Sequence, residues 1–243
     1  MVELRKMLQN EQLEELNVIL DENQNLFEKD PRNEYKVHDA YRAFDLTVPS
    51  YEDFFKKWIN TSPDKYQPYL AIAQYYYARG WENRGYKWAK DTPEKQFEGM
   101  QFYFSKAEQN LKVALNINPN LIVAYHILIG IYNANGDDTA EDRIIGKAGA
   151  LFPHSFLINS DSLWAKEPRW GGSYVTMEEI AKKSAEDHNI LLIPISVYAR
   201  MLLLAKQNKI NELVLATIFN EIGELTKDKL RTIIDKCAKE HGV

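Results

Sequence analysis

Cysteine is almost absent from this chain, since Cys237 is the single one among 243 residues. One thiol excludes an internal disulfide and a thiolate metal cage. The five histidines are scattered, and no pair has the four-residue spacing that puts two ligands on one face of a helix. The sequence therefore predicts no metal site and no cofactor.

Catalytic signatures are missing as well. No nucleophile elbow, phosphate-binding loop or dinucleotide fingerprint occurs, and the Gly171-Gly172 pair lacks the flanking pattern of such loops. Paired acids such as Asp137-Asp138 are expected at helix starts, where they favour the positive end of the helix dipole. We therefore expect a protein that is not an enzyme.

Long apolar runs and basic stripes are also lacking. The longest apolar run, Ile190 to Ala199, is interrupted by Pro194 and Ser196 and is too short to span a bilayer. The first residues lack the apolar core of a signal peptide. With a net charge of −5 and no run of Lys and Arg, the chain has no phosphate-neutralising stripe. We expect a cytoplasmic protein with no membrane and no nucleic-acid partner.

The chain has helical periodicity instead, and no stretch alternates for long enough to predict a strand. Between Gln67 and Pro153 a helix-pair pattern recurs with the 34-residue spacing of tetratricopeptide repeats. The residues that carry this pattern are Ala107, Leu111, Ala114, Pro119, Tyr125, Leu128, Tyr132, Gly136, Ile145, Ala148 and Pro153. The first-helix part of the pattern also occurs upstream, in Tyr69, Ile72, Ala73, Tyr76 and the turn glycine Gly80.

The pattern predicts an all-α fold, a tetratricopeptide-like helical repeat (α-α superhelix) of about ten helices with capping helices at both ends. We expect one domain, with N-terminal helices over residues 1–62, a core over 63–187 that carries an insertion at 81–96, and C-terminal capping helices over 188–243. Thr92 is expected to cap the helix after the insertion. Thr176 and Glu179 are expected to form a capping box.

Two motifs carry a resemblance to a known family. They are Gly80-Trp81-x-x-Arg84-Gly85 and Pro168-Arg169-Trp170-Gly171-Gly172-Ser173-Tyr174. Together with the helix that closes at Pro119, they resemble a bacterial family known as a domain of unknown function with tetratricopeptide-like character. The resemblance covers Leu4 to Ala185. It implies a fold, and it brings no activity or catalytic residue with it.

The repeat register also predicts a binding groove. In such arrays the concave surface is lined by first-helix positions that do not pack between helices. These positions are Gln74, Tyr77, His126, Gly130 and Asn133. A peptide laid there would meet polar tips above an aromatic floor. The alternative is that these side chains are exposed to solvent or are covered by the chain's own N-terminal helices.

Two loops supply further candidates. The insertion carries Trp81, Arg84, Tyr86 and Trp88, which either form an aromatic and cationic recess or cover an apolar edge. The second loop runs from Arg169 to Ser173. It either holds a carboxylate or phosphate through Arg169 and free backbone N–H groups, or it is a tight turn in which Trp170 fills the core.

The sequence therefore favours a non-catalytic module that binds a protein or peptide. The candidate binding residues are Gln74, Tyr77, His126, Asn133, Trp81, Arg84, Arg169 and Trp170. One alternative is a bacterial immunity or antitoxin-like protein that binds a toxin, and another is a small-anion binder at the Arg169–Gly172 turn. A homodimer is compatible with the sequence, which does not identify the partner.

Overall fold

A computed structural model describes residues 2–167 and 170–188. This part of the chain contains ten α-helices, two short 3-10 helices (Pro31–Asn33 and Ala89–Asp91) and no strand, which confirms the all-α prediction for it. The α-helices are α1 (Val2–Gln9), α2 (Leu13–Lys29), α3 (Glu34–Arg42), α4 (Tyr51–Thr61), α5 (Tyr66–Arg84), α6 (Glu94–Ile117), α7 (Ile122–Asn135), α8 (Asp138–Leu151), α9 (Phe156–Ala165) and α10 (Tyr174–His188).

The chain divides into two compact units, Met1–Gly172 and Ser173–Val243. The second unit begins with α10, whose first turn is capped by Ser173: its Oγ accepts a hydrogen bond of 3.1 Å from the backbone N–H of Thr176. The prediction that Thr176 caps this helix is therefore wrong, because the helix starts earlier and Ser173 lies at the capping distance. The capping helices predicted over residues 188–243 lie outside the described residues, apart from His188 at the end of α10.

The first two helices form because apolar residues recur at intervals of three and four positions. Leu4 and Leu8 are buried on α1, and Leu16 and Leu20 on α2. The chain turns between the helices at Glu11, which has a positive φ of 59°. The sequence predicts one or two helices up to residue 29, and this turn makes them two.

A buried hydrogen-bond chain joins α2 to α4. The indole Nε1–H of Trp58 donates to Asn17 Oδ1 at 3.0 Å, and Asn17 Nδ2 donates to the Ser62 hydroxyl at 3.0 Å. All three side chains are buried. These hydrogen bonds satisfy buried polar groups that would otherwise destabilise this part of the core.

Aromatic rings fill the space between α5 and α6. Gly80 lies against Phe104 while Asn83 lies against Gly99, so the two helices run antiparallel. Phe104 stacks on Tyr77 of α5, with 5.5 Å between ring centroids. The absence of a side chain at position 80 is what lets the Phe104 ring reach the α5 backbone.

Gly80 is therefore not the turn glycine that the repeat pattern predicts. Helix α5 continues to Arg84 and ends at Gly85, whose φ is 69°. Because α6 begins at Glu94, the connection covers residues 85–93 and is shorter than the predicted insertion. Gly136, in contrast, ends α7 in the left-handed conformation, as the pattern predicts for a turn glycine.

Thr92 does not cap α6. Its hydroxyl donates to the Trp88 carbonyl at 2.9 Å, and the N-cap position belongs to Pro93. The hydroxyl therefore stabilises the connection between α5 and α6 rather than the helix start.

Gly80→Ala is expected to lower the free energy of unfolding by about 1–3 kcal/mol relative to Gly146→Ala. A methyl group at position 80 would overlap the ring of Phe104, which is held by Tyr77 and Trp81. Gly146 lies in α8, with nothing within 4 Å of the place a methyl group would take. Both changes gain the same helix propensity. The difference between their free energies of unfolding in urea therefore measures the effect of the overlap with Phe104. Equal stabilities would mean that Phe104 moves aside without loss.

Candidate functional site

Helix α3 packs against α2, α5 and α7. Its first residue, Glu34, also reaches the start of α9. Glu34 Oε2 accepts a hydrogen bond of 2.5 Å from the Ser155 hydroxyl, and Oε1 accepts one of 2.9 Å from the Phe156 backbone N–H. Because burial outweighs these hydrogen bonds, it raises the pKa of Glu34. Helix α3 thus lies across the face where the predicted groove residues of α5 and α7 are found.

A cavity of about 540 Å³ remains beside α3. Its volume lies within the range of roughly 300–1,000 Å³ that is typical of ligand pockets. The lining residues come from α3 and the loop that follows it (His38, Arg42, Asp45, Thr47), from α5 and its end (Gln74, Tyr77, Ala78, Trp81, Glu82, Gly85, Tyr86) and from α7 (His126).

One wall of the cavity is aromatic. Tyr77 is fixed from behind by Phe104 and meets Trp81 edge-on, with 6.2 Å between centroids. Gly130 of α7 has no side chain where the Tyr77 hydroxyl lies. Burial raises the pKa of Tyr77 to about 12, so the phenol is neutral at pH 7. Tyr86 is fully exposed at the mouth.

Two histidines meet in the lining of the cavity. His38 of α3 and His126 of α7 make an edge contact with 5.2 Å between ring centroids. His126 Nδ1 lies 2.8 Å from Oδ2 of Asp161 in α9. The side chains of His126 and Asp161 are 24% and 16% exposed, so the pair is largely withdrawn from solvent.

The pKa values of the two histidines are shifted in opposite directions. Burial, with a smaller contribution from His126, lowers the pKa of His38 to about 4, so His38 is neutral at pH 7. Burial also opposes the charged form of His126, but the charge and hydrogen bond of Asp161 outweigh it and raise the pKa of His126. Burial raises the pKa of Asp161, against the effect of His126. The cavity lining therefore contains one imidazole that is neutral at pH 7 and one whose pKa is raised.

Gln74 contributes a polar amide to the lining of the cavity. It is only 6% exposed and lines the cavity, yet its amide group makes no hydrogen bond with any described residue. The amide carries one acceptor oxygen and two N–H donors. This amide is therefore available to a polar group that enters the cavity.

Four of the predicted site residues lie together in the cavity lining: Gln74, Tyr77, Trp81 and His126. Asn133 is not in the lining, and its amide donates to the Ala165 carbonyl at 3.2 Å. Arg84 is also turned away. It donates to the carbonyls of Gly85 and Lys87 and lies over the Phe97 ring, 5.7 Å from the centroid.

The predicted anion site in the second loop has few free donors. The backbone N–H groups of Trp170 and Gly172 both donate to the Glu167 carbonyl, at 2.9 and 3.2 Å. A methyl group at Gly172 would overlap the Lys166 backbone. These contacts favour a tight turn with a half-buried Trp170, while Arg169 lies outside the described residues.

His38, Arg42, Asp45 and Thr47 are lining residues that the sequence does not predict. They lie on the polar side of a short amphipathic helix and in the loop after it, and no local pattern distinguishes them from a solvated surface. What brings them to the site is the packing of α3 on α5 and α7.

Over residues 2–167 and 170–188, no helix combines the length and apolarity needed to cross a membrane. In the same part of the chain, no three His, Cys, Asp or Glu side chains converge as metal ligands would. The profile of a family described as "Domain of unknown function (DUF4034)" matches residues 1–139, and the chain belongs to this family. No curated protein and no solved structure matches the chain.

Proposed function

We propose that this member of the DUF4034 family is a non-catalytic module that binds a peptide segment of another protein in the cavity between α3, α5 and α7. The observation that carries the proposal is the amide of Gln74, which lines the cavity and makes no hydrogen bond with a described residue. Its donors and acceptor match the C=O and N–H groups of a peptide chain. Because the cavity gives this amide access to solvent, a bound peptide would exchange its contact with water for hydrogen bonds worth about 1 kcal/mol each.

The aromatic wall supports the same function. Tyr77 and Trp81 pack on Phe104 and are therefore held in place before a ligand arrives. Rigid side chains lose little conformational entropy on binding. Large aromatic side chains beside a few polar groups are also the composition of many peptide-binding surfaces.

The proposal includes a tetratricopeptide-like arrangement of the core. In it, α5–α6 and α7–α8 are successive helix pairs whose first helices form a concave face. Helix α3 covers part of this face, as one alternative from the sequence anticipates. The open part is the cavity, so we place the peptide there rather than along an extended groove.

Gln74→Leu is expected to weaken peptide binding about tenfold or more, because it removes hydrogen bonds worth about 1 kcal/mol each and buries the ligand's partners unpaired. The probe is the tightest peptide selected by the wild-type protein from a random octapeptide library. Fluorescence anisotropy gives its dissociation constant for each variant.

Gln101→Leu is the matched control, because it makes the same chemical change on the exposed surface of α6. It should leave the dissociation constant unchanged. If the wild-type protein retains no peptide, or if Gln74→Leu binds as tightly as Gln101→Leu, the proposed function is wrong.

A further inference from the structure

Besides Gln74, His126 of α7 is a polar residue of the cavity lining that has an unused hydrogen-bonding group. Its Nδ1 lies 2.8 Å from Oδ2 of Asp161, whereas its Nε2 makes no hydrogen bond with a described residue. The side chain is 24% exposed and lines the cavity. Nε2 is therefore the ring nitrogen that a bound ligand can reach.

Asp161 determines what this nitrogen offers to a ligand. An ionised carboxylate only accepts hydrogen bonds, so a neutral imidazole keeps its hydrogen on Nδ1 and leaves Nε2 as an acceptor. A charged imidazole has hydrogen on both nitrogens, and its Nε2 is a donor. Against the effect of burial, the charge and hydrogen bond of Asp161 raise the pKa of His126, which favours the donor form.

His126 and Gln74 reach the same part of the cavity. The Tyr77 hydroxyl lies against Gly130 of α7. Gln74 precedes Tyr77 by three residues and His126 precedes Gly130 by four, so each lies about one helical turn, or about 5 Å, from this contact. Since an extended peptide advances about 3.3 Å per residue, about three or four of its residues are long enough to contact both side chains.

On the basis of the proposed function, we infer that His126 is a second residue that recognises the peptide backbone: its Nε2–H donates a hydrogen bond to a backbone carbonyl of the bound peptide. Asp161 acts through His126, because it holds the imidazole in the orientation and charge state that present this donor. A neutral carbonyl fits better than a carboxylate, since Asp161 already neutralises the charge of the imidazolium. Gln74 pairs with a peptide group a few residues away.

This contact makes peptide binding depend on pH. Below the pKa of His126 in the folded protein, Nε2–H donates to the carbonyl. Above that pKa, the lone pair of Nε2 faces the carbonyl oxygen and the hydrogen bond is lost. Hydrogen bonds from charged groups are about twice as strong as neutral ones, so binding should weaken about tenfold or more from pH 6 to pH 9.

Two neighbours of His126 keep their charge state over this pH range. Burial lowers the pKa of His38 to about 4 and raises that of Tyr77 to about 12, so both are neutral from pH 6 to pH 9. The titratable and charged groups that surround His126 and Asp161 are Glu34, His38, Asp39 and Arg42 of α3, Asp45 in the loop after it, and Tyr77 of α5. Variants that shift or remove the titration of His126 itself distinguish it from these groups.

The probe is a peptide that the immobilised full-length wild-type protein selects at pH 6 from an octapeptide library made without His and Cys. It is amidated at its C-terminus and labelled with rhodamine at its N-terminus, so none of its groups has an ordinary pKa between 6 and 9. Fluorescence anisotropy gives its dissociation constant at several pH values. For wild type, this constant should rise about tenfold or more between pH 6 and pH 9.

Two variants assign the change to His126. Asp161→Asn removes the charge that favours protonated His126, so the rise should move to lower pH. His126→Gln keeps an N–H donor that does not titrate, so its dissociation constant should stay constant between pH 6 and pH 9. Asp64→Asn, the same change as Asp161→Asn at an exposed acid between α4 and α5, should keep the wild-type profile. Unchanged circular dichroism spectra establish that the variants are folded.

The outcomes distinguish this inference from the function on which it rests. A wild-type dissociation constant that is the same at pH 6 and pH 9 would overturn the inference. A wild-type profile in Asp161→Asn or in His126→Gln would also overturn it, because another group would then titrate. In each of these cases, weaker binding by Gln74→Leu leaves the peptide-binding function standing. If the wild-type protein retains no peptide, both are wrong.

Discussion

Replacing Trp58 with alanine is expected to lower the free energy of unfolding by about 3–5 kcal/mol. The Trp58 ring is fully buried and packs edge-on against Phe44, with 5.9 Å between centroids. Removing it leaves a cavity that the surrounding helices fill only in part, and such cavities add to the lost transfer free energy.

A second penalty comes from the hydrogen bond that Trp58 donates to Asn17. Asn17 is 3% exposed, so its Oδ1 would lose its donor in a place with little access to water. An orphaned buried acceptor costs about 1–3 kcal/mol. Trp58→Phe, which keeps most of the ring volume, separates the two contributions because it removes the donor and leaves most of the packing.

Urea denaturation followed by far-UV circular dichroism measures both variants. The matched control is Trp88→Ala, because Trp88 is 66% exposed in the connection between α5 and α6. Its removal should change stability by no more than about 0.5 kcal/mol. Similar midpoints for Trp58→Ala and Trp88→Ala would contradict the assigned role of Trp58 in the core.

The presence of the helices follows from local sequence, but some of their ends do not. The apolar spacing of α1 and α2 predicts them, and Gly136 marks the end of α7 through its own backbone conformation. Gly80 is ambiguous, since a glycine serves both in a turn and in close packing of two helices. Phe104, on the next helix, decides between these roles, and a single-repeat pattern contains no information about that contact.

The residues that line the cavity can also be predicted from the sequence only in part. The register of α5 and α7 places Gln74, Tyr77 and His126 on one exposed face, and the structure brings them together. The opposing wall comes from α3, which is fixed in part by the hydrogen bond between Ser155 and Glu34 across 121 residues of chain. Contacts between residues so far apart in the chain leave no local pattern. The sequence therefore predicts the lining residues of α5 and α7 and misses those of α3 and the loop after it.

His38 is expected to make stability depend on pH in the acid range. Its pKa is about 4 in the folded protein and about 6.5 in an unfolded chain. Between these values the unfolded chain binds more protons than the folded one, so the free energy of unfolding rises with pH from about 4 to about 6.5. One pKa unit corresponds to about 1.4 kcal/mol, so the rise due to His38 is about 3 kcal/mol.

His126 acts in the opposite direction and over a different range. Because Asp161 raises the pKa of His126 in the folded protein, its stabilising contribution is present below about 6.5 and is lost as the pH rises through the higher folded value. The groups that set both pKa values are these two histidines, Arg42, Asp39 and Asp161. The combined contribution of His38 and His126 to the free energy of unfolding is therefore largest near pH 6.5.

The predicted pH dependence is tested by urea denaturation of wild type and His38→Gln at several pH values between 4 and 7.5. The carboxylates titrate in both proteins, so the difference between the two curves isolates His38. That difference should change by about 3 kcal/mol between pH 4 and pH 6.5. A curve for His38→Gln that is parallel to that of wild type would mean that the pKa of His38 is the same in the folded protein and in the unfolded chain, and it would contradict the assigned effect of burial.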